Sequence, residues 1–285
     1  MSARGSWAMA LPWAMALLAA GALAATEAEV TPHTIVVCSP GSPGNTEQAR
    51  PAMESLAKAI ALAAHRPEES VTVVYHETLE DGLARMKESD ASLAMVPLPL
   101  LLSHGAALRL EPVLQAVPEK GPAEAWALVA KKGRAGSPAA LEGWEIASTA
   151  GYAEDFVRRL ALKGYALPAS ARVTPTAKPL AALRRAAAGE NVAILLDGAQ
   201  SQGLAALPFA GDLEVLHRSD PLPGGYLCTI ADRVTRDDLA SLKSALMALE
   251  KSDAGKEALA GVVMTGFRPF NTKELEALRA AAAAR

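Results

Sequence analysis

Two short segments of this chain combine hydroxyl side chains with glycine: Ser39-Pro40-Gly41-Ser42-Pro43-Gly44-Asn45-Thr46 and Ser148-Thr149-Ala150-Gly151-Tyr152. A third, Pro97 to His104, holds an equivalent place with apolar residues. Each follows an apolar run of strand character, and the first two lead into helical spacing. That is where an open α/β sheet places a ligand. A helix's first turn offers free backbone N–H groups and a partial positive charge of about half a unit, which suits an oxyanion. Serine and threonine add donors without bulk. In the Ser148 segment, Ser148 and Thr149 can donate to an anion, Gly151 admits the backbone, and Tyr152 lines the wall; equally, Ser148 or Thr149 can cap the following helix. In the first segment Ser39, Ser42, Asn45 and Thr46 are the candidate contacts, with Asn45 or Thr46 as an N-cap in an ordinary surface loop as the other reading. His76 and Asp197 each follow a strand and are candidate cleft residues or solvated loop polars. Tyr226, beside Gly224-Gly225, faces a cleft or packs in the core.

Other chemistries leave no pattern. Neither G-x-S-x-G nor G-x-x-x-x-G-K-[ST] occurs, and Asp237-Asp238 stands where a helix begins. The five histidines, at 33, 65, 76, 104 and 217, are scattered, with no C-x-x-C or H-x-x-x-H, so neither a metal nor a cofactor is expected. Net charge is −3 and no basic block exceeds a pair such as Arg158-Arg159, which argues against nucleic acid and anionic membrane surfaces. Cys38 and Cys228 fall in separate strands and read either as buried free thiols or as one disulfide.

These residues need a scaffold, and the chain supplies alternating strands and helices. Residues 34–38, 71–75 and 91–96 read as strands, with helices over 46–64 and 79–89 between them. A second block repeats this order: strands near 125–130, 141–147, 171–175 and 191–196, helices over 152–163 and 178–188. Then come a strand at 226–231, helices at 236–251 and 255–262, and a fraying Ala-rich helix from Leu275 to Arg285. Aromatics are only 4% of residues, so Ala, Leu and Val must fill the core.

The first 24 residues read as a signal peptide. Arg4 gives a basic start, Trp7 to Ala20 is apolar apart from Pro12 in the middle of the run, and Ala22-Leu23-Ala24 supplies a cleavage step. The run is shorter than the ~20 residues of a membrane span, so no stable membrane insertion is expected after cleavage. The mature protein is expected from about Ala25, periplasmic or secreted.

Three stretches carry a resemblance to a known family. They are Glu88-Ser89-Asp90 with the strand Ala91–Val96 and Pro97-Leu98-Pro99; Pro138 to Ala147 with Ser148–Gly151; and Pro221-Leu222-Pro223-Gly224-Gly225 followed by Asp237–Leu249, Gly255 and Met264–Phe270. In order and spacing they resemble the phosphate/phosphite/phosphonate-binding periplasmic proteins of ABC transporters, with a type 2 binding-protein fold. The resemblance implies two lobes, each a mostly parallel sheet flanked by helices: residues 28–118 with 222–285, and 119–221. It implies a ligand cleft between them, a small anionic ligand, an ABC permease as partner, and no enzymatic activity. The apolar Pro97 segment departs from the family's loop, where a hydroxyl or aromatic residue is usual. A sensory or degenerate relative is therefore the alternative, with an enzyme of the same fold a further one. N-terminal sequencing of the exported protein is expected to start close to Ala25; recovery with Met1 intact would overturn the leader assignment.

Overall fold

Strand β1, His33–Cys38, is buried at all six positions, as befits a strand with neighbours on both edges and layers on both faces. The structure is a computed structural model that describes residues 31–42 and 44–284; the expected leader lies outside the described residues. Helix α1, Thr46–Ala63, is capped by Asn45, whose Oδ1 accepts from Gln48 N at 2.9 Å. β2, Val71–His76, and β3, Ala91–Pro97, both run parallel to β1, with α2, Leu79–Lys87, between them.

After β3 the expected loop is absent. Helix α3, Leu98–Leu108, begins at once, with Pro99 in its first turn, where a missing N–H costs nothing. β4, Leu110–Pro118, completes the first pass, and the chain crosses to a second sheet through β5, Ala123–Glu124. There it forms β6, Ala127–Lys131, and β7, Glu145–Ser148. The helix expected over 152–163 starts later: α4 is Glu154–Phe156 and continues as a π-helical turn, Val157–Ala161. β8, Arg172–Pro175; α5, Pro179–Ala188; β9, Val192–Leu196; α6, Gly198–Gly203; and β10, Leu213–Arg218, follow. The return passes through β11, Leu222–Pro223, and β12, Gly225–Ile230. Then come α7, Arg236–Ala248; α8, Asp253–Gly261; β13, Met264–Arg268; and α9, Thr272–Ala283.

The strand orders are β13-β4-β12-β3-β1-β2 and β10-β6-β9-β7-β8, joined by the two-stranded ribbon β11-β5. Pairing is parallel within the βα units. Antiparallel partners complete both sheets: β12 beside β3 and β4, β13 beside β4, β6 beside β9, and β10 beside β6. The sheets are thus mixed rather than mostly parallel, because crossing strands re-enter each lobe from the other side.

One apolar cluster packs α1, α7 and α8 on the first sheet, and a smaller one packs α5 on the second. The largest runs through both lobes, from Val36, Leu98 and Tyr226 to Leu128, Phe156 and Leu195. The expected fraying of the last helix does not occur at Leu275, which is 2% exposed within that shared cluster. Cys38 and Cys228 are free and buried, and burial first, then Asp81, pushes the Cys38 thiol up to about 12.

At the far end of β1, His33 is 1% exposed. Its Nδ1 lies 3.2 Å from Ser92 Oγ and its Nε2 3.6 Å from Asp238 Oδ2, while Arg66 bonds Asp238 at 2.7 Å. Burial lowers the His33 pKa, outweighing the pull of Asp238. The folded state therefore favours neutral imidazole, and this stability is present above the unfolded value of about 6.5 and is lost as pH falls below it. Urea unfolding from about pH 8 to about pH 5.5 is expected to show falling stability. His33→Gln should start lower and show a flatter decline; an unchanged slope would remove His33 from the account.

Candidate functional site

The lobes meet around a cavity of about 500 Å³ beside the β5–β11 ribbon. The loop after β1 forms one wall. Ser39 N donates to His76 O at 3.1 Å and Gly41 N to Glu77 O at 3.3 Å, so the loop is pinned to the end of β2. Ser39 Oγ and Ser42 Oγ lie 2.8 Å apart. Gly41 has φ +78, and a Cβ there would stand 2.6 Å from Thr149 Cγ2. Only glycine permits this approach of the first lobe to the second.

Thr149, Ala150 and Tyr152 come from the turn after β7. Burial, then the nearby Cys38 thiol, pushes the Tyr152 phenol upward, and its ring lies 6.2 Å from the His104 ring on α3. Burial lowers the His104 pKa. Trp126 adds an apolar wall, edge-on to Phe156 at 5.1 Å.

Two carboxyl groups share the same cavity. Asp197 caps α6 in a reciprocal box with Gln200: Gln200 N donates to Asp197 Oδ1 at 2.7 Å, and Asp197 N to Gln200 Oε1 at 3.3 Å. Glu124, in the ribbon, accepts from Gly198 N at 2.8 Å. A Cβ on residue 198 would lie 2.7 Å from Glu124 Cβ, so glycine is what lets the carboxylate reach the helix. Burial first, then the charge of Asp197, raises the Glu124 carboxyl to about 7. Burial also raises Asp197. Among the described residues no lysine or arginine lines the cavity.

Of the residues expected from sequence, Ser39, Ser42, Thr149, Tyr152 and Asp197 line this cavity. The others do not. Ser148 is fully buried; its Oγ donates to Leu195 O at 2.9 Å and accepts from Ala150 N at 3.2 Å, so both roles of the hydroxyl are spent within the second lobe. Neither Ser148 nor Thr149 caps α4; that place belongs to Ala153, which offers no side-chain bond. Gly151 admits backbone rather than ligand, since a Cβ would lie 2.2 Å from Thr174 O. Asn45 serves α1 and Thr46 Oγ1 donates to Glu77 at 2.6 Å, both exposed. His76 ends β2 outside the cavity. Tyr226 is 2% exposed and meets Phe270 edge-on at 5.8 Å. Sequence reasoning missed Glu124 and Gln200: the first sits in a two-residue strand with no periodicity, and the second shows only as Asp197-x-x-Gln200, a capping-box spacing.

Two mixed-sheet lobes, a double crossing and a cavity between them define a two-lobed periplasmic binding protein. Residues 42–275 match the family model for the periplasmic substrate-binding protein of phosphonate ABC transporters, and the chain belongs to that family. No curated protein matches the chain. Among solved structures, XAC2383 from Xanthomonas citri, bound to chloride, aligns with a TM-score of 0.73 at 13% identity, over 87% of this chain and 97% of that one. PhnD1 from Prochlorococcus marinus, in complex with methylphosphonate, aligns at 0.63 and 12% identity, over 86% and 95%. The binding-protein component of a phosphonate ABC transporter from Pseudomonas aeruginosa aligns at 0.60 and 14%, over 87% and 85%. At such identities these likenesses concern the fold.

Ser148→Ala is expected to cost about 1–3 kcal/mol in urea unfolding, because Ala150 N and Leu195 O both lose a buried partner. A cost near zero would show the hydroxyl to be dispensable.

Proposed function

We propose that this chain captures a small organophosphonate that also carries a cationic group, and passes it to an ABC permease. The lobe limits that go with this reading are 28–118 with 222–285, and 119–221. Its role is binding, without catalysis. The hydroxyls of Ser39, Ser42, Thr149 and Tyr152, together with the Gln200 amide and the Trp126 indole N–H, are donors that line the cavity for the anionic end.

The observation that carries the ligand class is the carboxyl pair Glu124 and Asp197 in the same cavity. A bare dianion set against two carboxylates is repelled, or must keep them protonated. An ammonium group beside them replaces the proton instead, offsetting both the burial and, second to it, the Asp197 charge that lift Glu124. An alkylphosphonate with a terminal amine meets both demands, and the prolines and Trp126 accept its short carbon chain.

Calorimetric titration with methylphosphonate and 2-aminoethylphosphonate separates the cases. The amine is expected to tighten binding by about ten- to a hundred-fold, the worth of a hydrogen bond to a charged group. Glu124 becomes fully ionised only above about 7, so the gain from the amine should grow as pH rises through that value. Glu124→Gln should remove most of this gain and its pH dependence. Equal affinities for the two phosphonates at every pH would overturn the cationic half of the reading; no binding of either would overturn the ligand class.

A further inference from the structure

We propose that α9 is a strap between the lobes: its foot is fixed to the first lobe, and its outer part rests on the π-helical turn of the second and holds the lobes closed. Chain order gives the foot. α9 follows β13 of the first sheet after only Pro269, Phe270 and Asn271. Phe270 lies edge-on to Tyr226 of β12, and Asn271 caps the helix, accepting from Glu274 N at 3.3 Å.

From that foot the helix turns its apolar side to the other lobe. Leu275, Leu278 and Ala282 fall on one face by helical spacing, and all three pack in the cluster shared by the lobes. α9 packs against α4 and the π-helical turn, which bring Phe156, Val157, Leu160 and Ala161 of the second lobe to the same cluster. The turn is widened by one residue, with Leu162 N bonded to Val157 O at 2.9 Å. Such insertions in helices recur at functional positions.

Next to this contact lies a groove of about 720 Å³, larger than the ligand cavity, between Leu101 and Leu102 of α3, Phe156 of α4, and Arg279 and Ala282 of α9. The outer half of α9 therefore packs on the shared cluster on one side and borders open space on the other. Opening the lobes about the short ribbon separates the α4 side from α3 and α9, and so exposes the Leu278 and Ala282 contact. Ligand and strap then favour the same closed state, and losing one weakens the other's hold by the same factor.

The test uses the full mature chain with Leu278→Asp, which places a charge in the strap contact, and Leu278→Ala as a milder variant. Circular dichroism checks folding. Small-angle scattering of the ligand-free proteins is expected to show a larger radius of gyration for Leu278→Asp, with Leu278→Ala between it and wild type. Methylphosphonate affinity should fall about ten-fold for the Asp variant, in step with the smaller closed population. In wild type, methylphosphonate should slow hydrogen exchange in α9 and residues 157–161 together, leaving α7 unchanged. Folded variants with wild-type scattering and affinity would overturn the strap, as would ligand-induced protection that spares α9. Should methylphosphonate fail to bind, the scattering comparison alone decides the strap, so the ligand reading and the strap fail separately. Should the Asp variant unfold, the Ala variant and wild-type exchange decide it.

Discussion

The lobes are joined covalently through a ribbon of two residue pairs, Leu222 with Glu124 and Pro223 with Ala123. Everything else in the molecule accommodates this constraint. So short a ribbon fixes where the lobes meet but supplies little resistance to their turning. Resistance must come from packing, and the largest apolar cluster provides it by running without a break from one lobe into the other. A hinge of this kind converts small differences in contact energy into a change of lobe position. Residues far from the ligand, such as those of α9, thereby acquire a say in how tightly it is held.

The same ribbon carries the cavity's most unusual charge. Glu124 sits at the crossing, bonds the first amide of α6, and lies beside Asp197, the residue that caps that helix. Two half-buried carboxyl groups in one place cannot both ionise cheaply, and further burial as the cleft closes raises the cost. A cation brought by the ligand lowers it. Charge selection and lobe position thus converge on one residue, since any movement of the ribbon relative to the second lobe stretches the bond from Gly198 N to Glu124.

How far this was legible in the sequence depended on how much of each element's logic is local. The βα units of the first lobe were plain because β1 is a continuous buried run and α1 and α2 keep helical spacing behind Asn45 and Thr78. α3 reads as a loop in sequence because Pro97 and Pro99 look like breakers, although a helix tolerates proline in its first turn. β4, β10 and β13 gave no readable signal. β4 is interrupted by Pro112 and ends at Pro118, and β13 is five residues long with a glycine at its centre, so their pairing is decided by distant partners. Of the antiparallel strands, only β6 and β12 are legible in sequence, and their partners β4, β10 and β13 are not.

The site followed the same division. The rule that ligands gather at the carboxyl ends of parallel strands placed Ser39, Ser42, Thr149, Tyr152 and Asp197 around one cavity. It also gathered Ser148 and Gly151, whose composition is the same but whose work is structural. A hydroxyl that bonds Leu195 O and a glycine under Thr174 O are indistinguishable in sequence from a hydroxyl and a glycine that face a ligand. What separates Ser148 from Thr149 is where the strand ends: Ser148, last in β7, bonds Leu195 O of β9, while Thr149, first in the following turn, stands against Gly41 of the opposite lobe. A strand end can thus supply one residue to the cleft while its neighbour fastens the turn that aims it. Composition reveals the pair, and only where β7 ends, and what each side chain then meets, tells which is which.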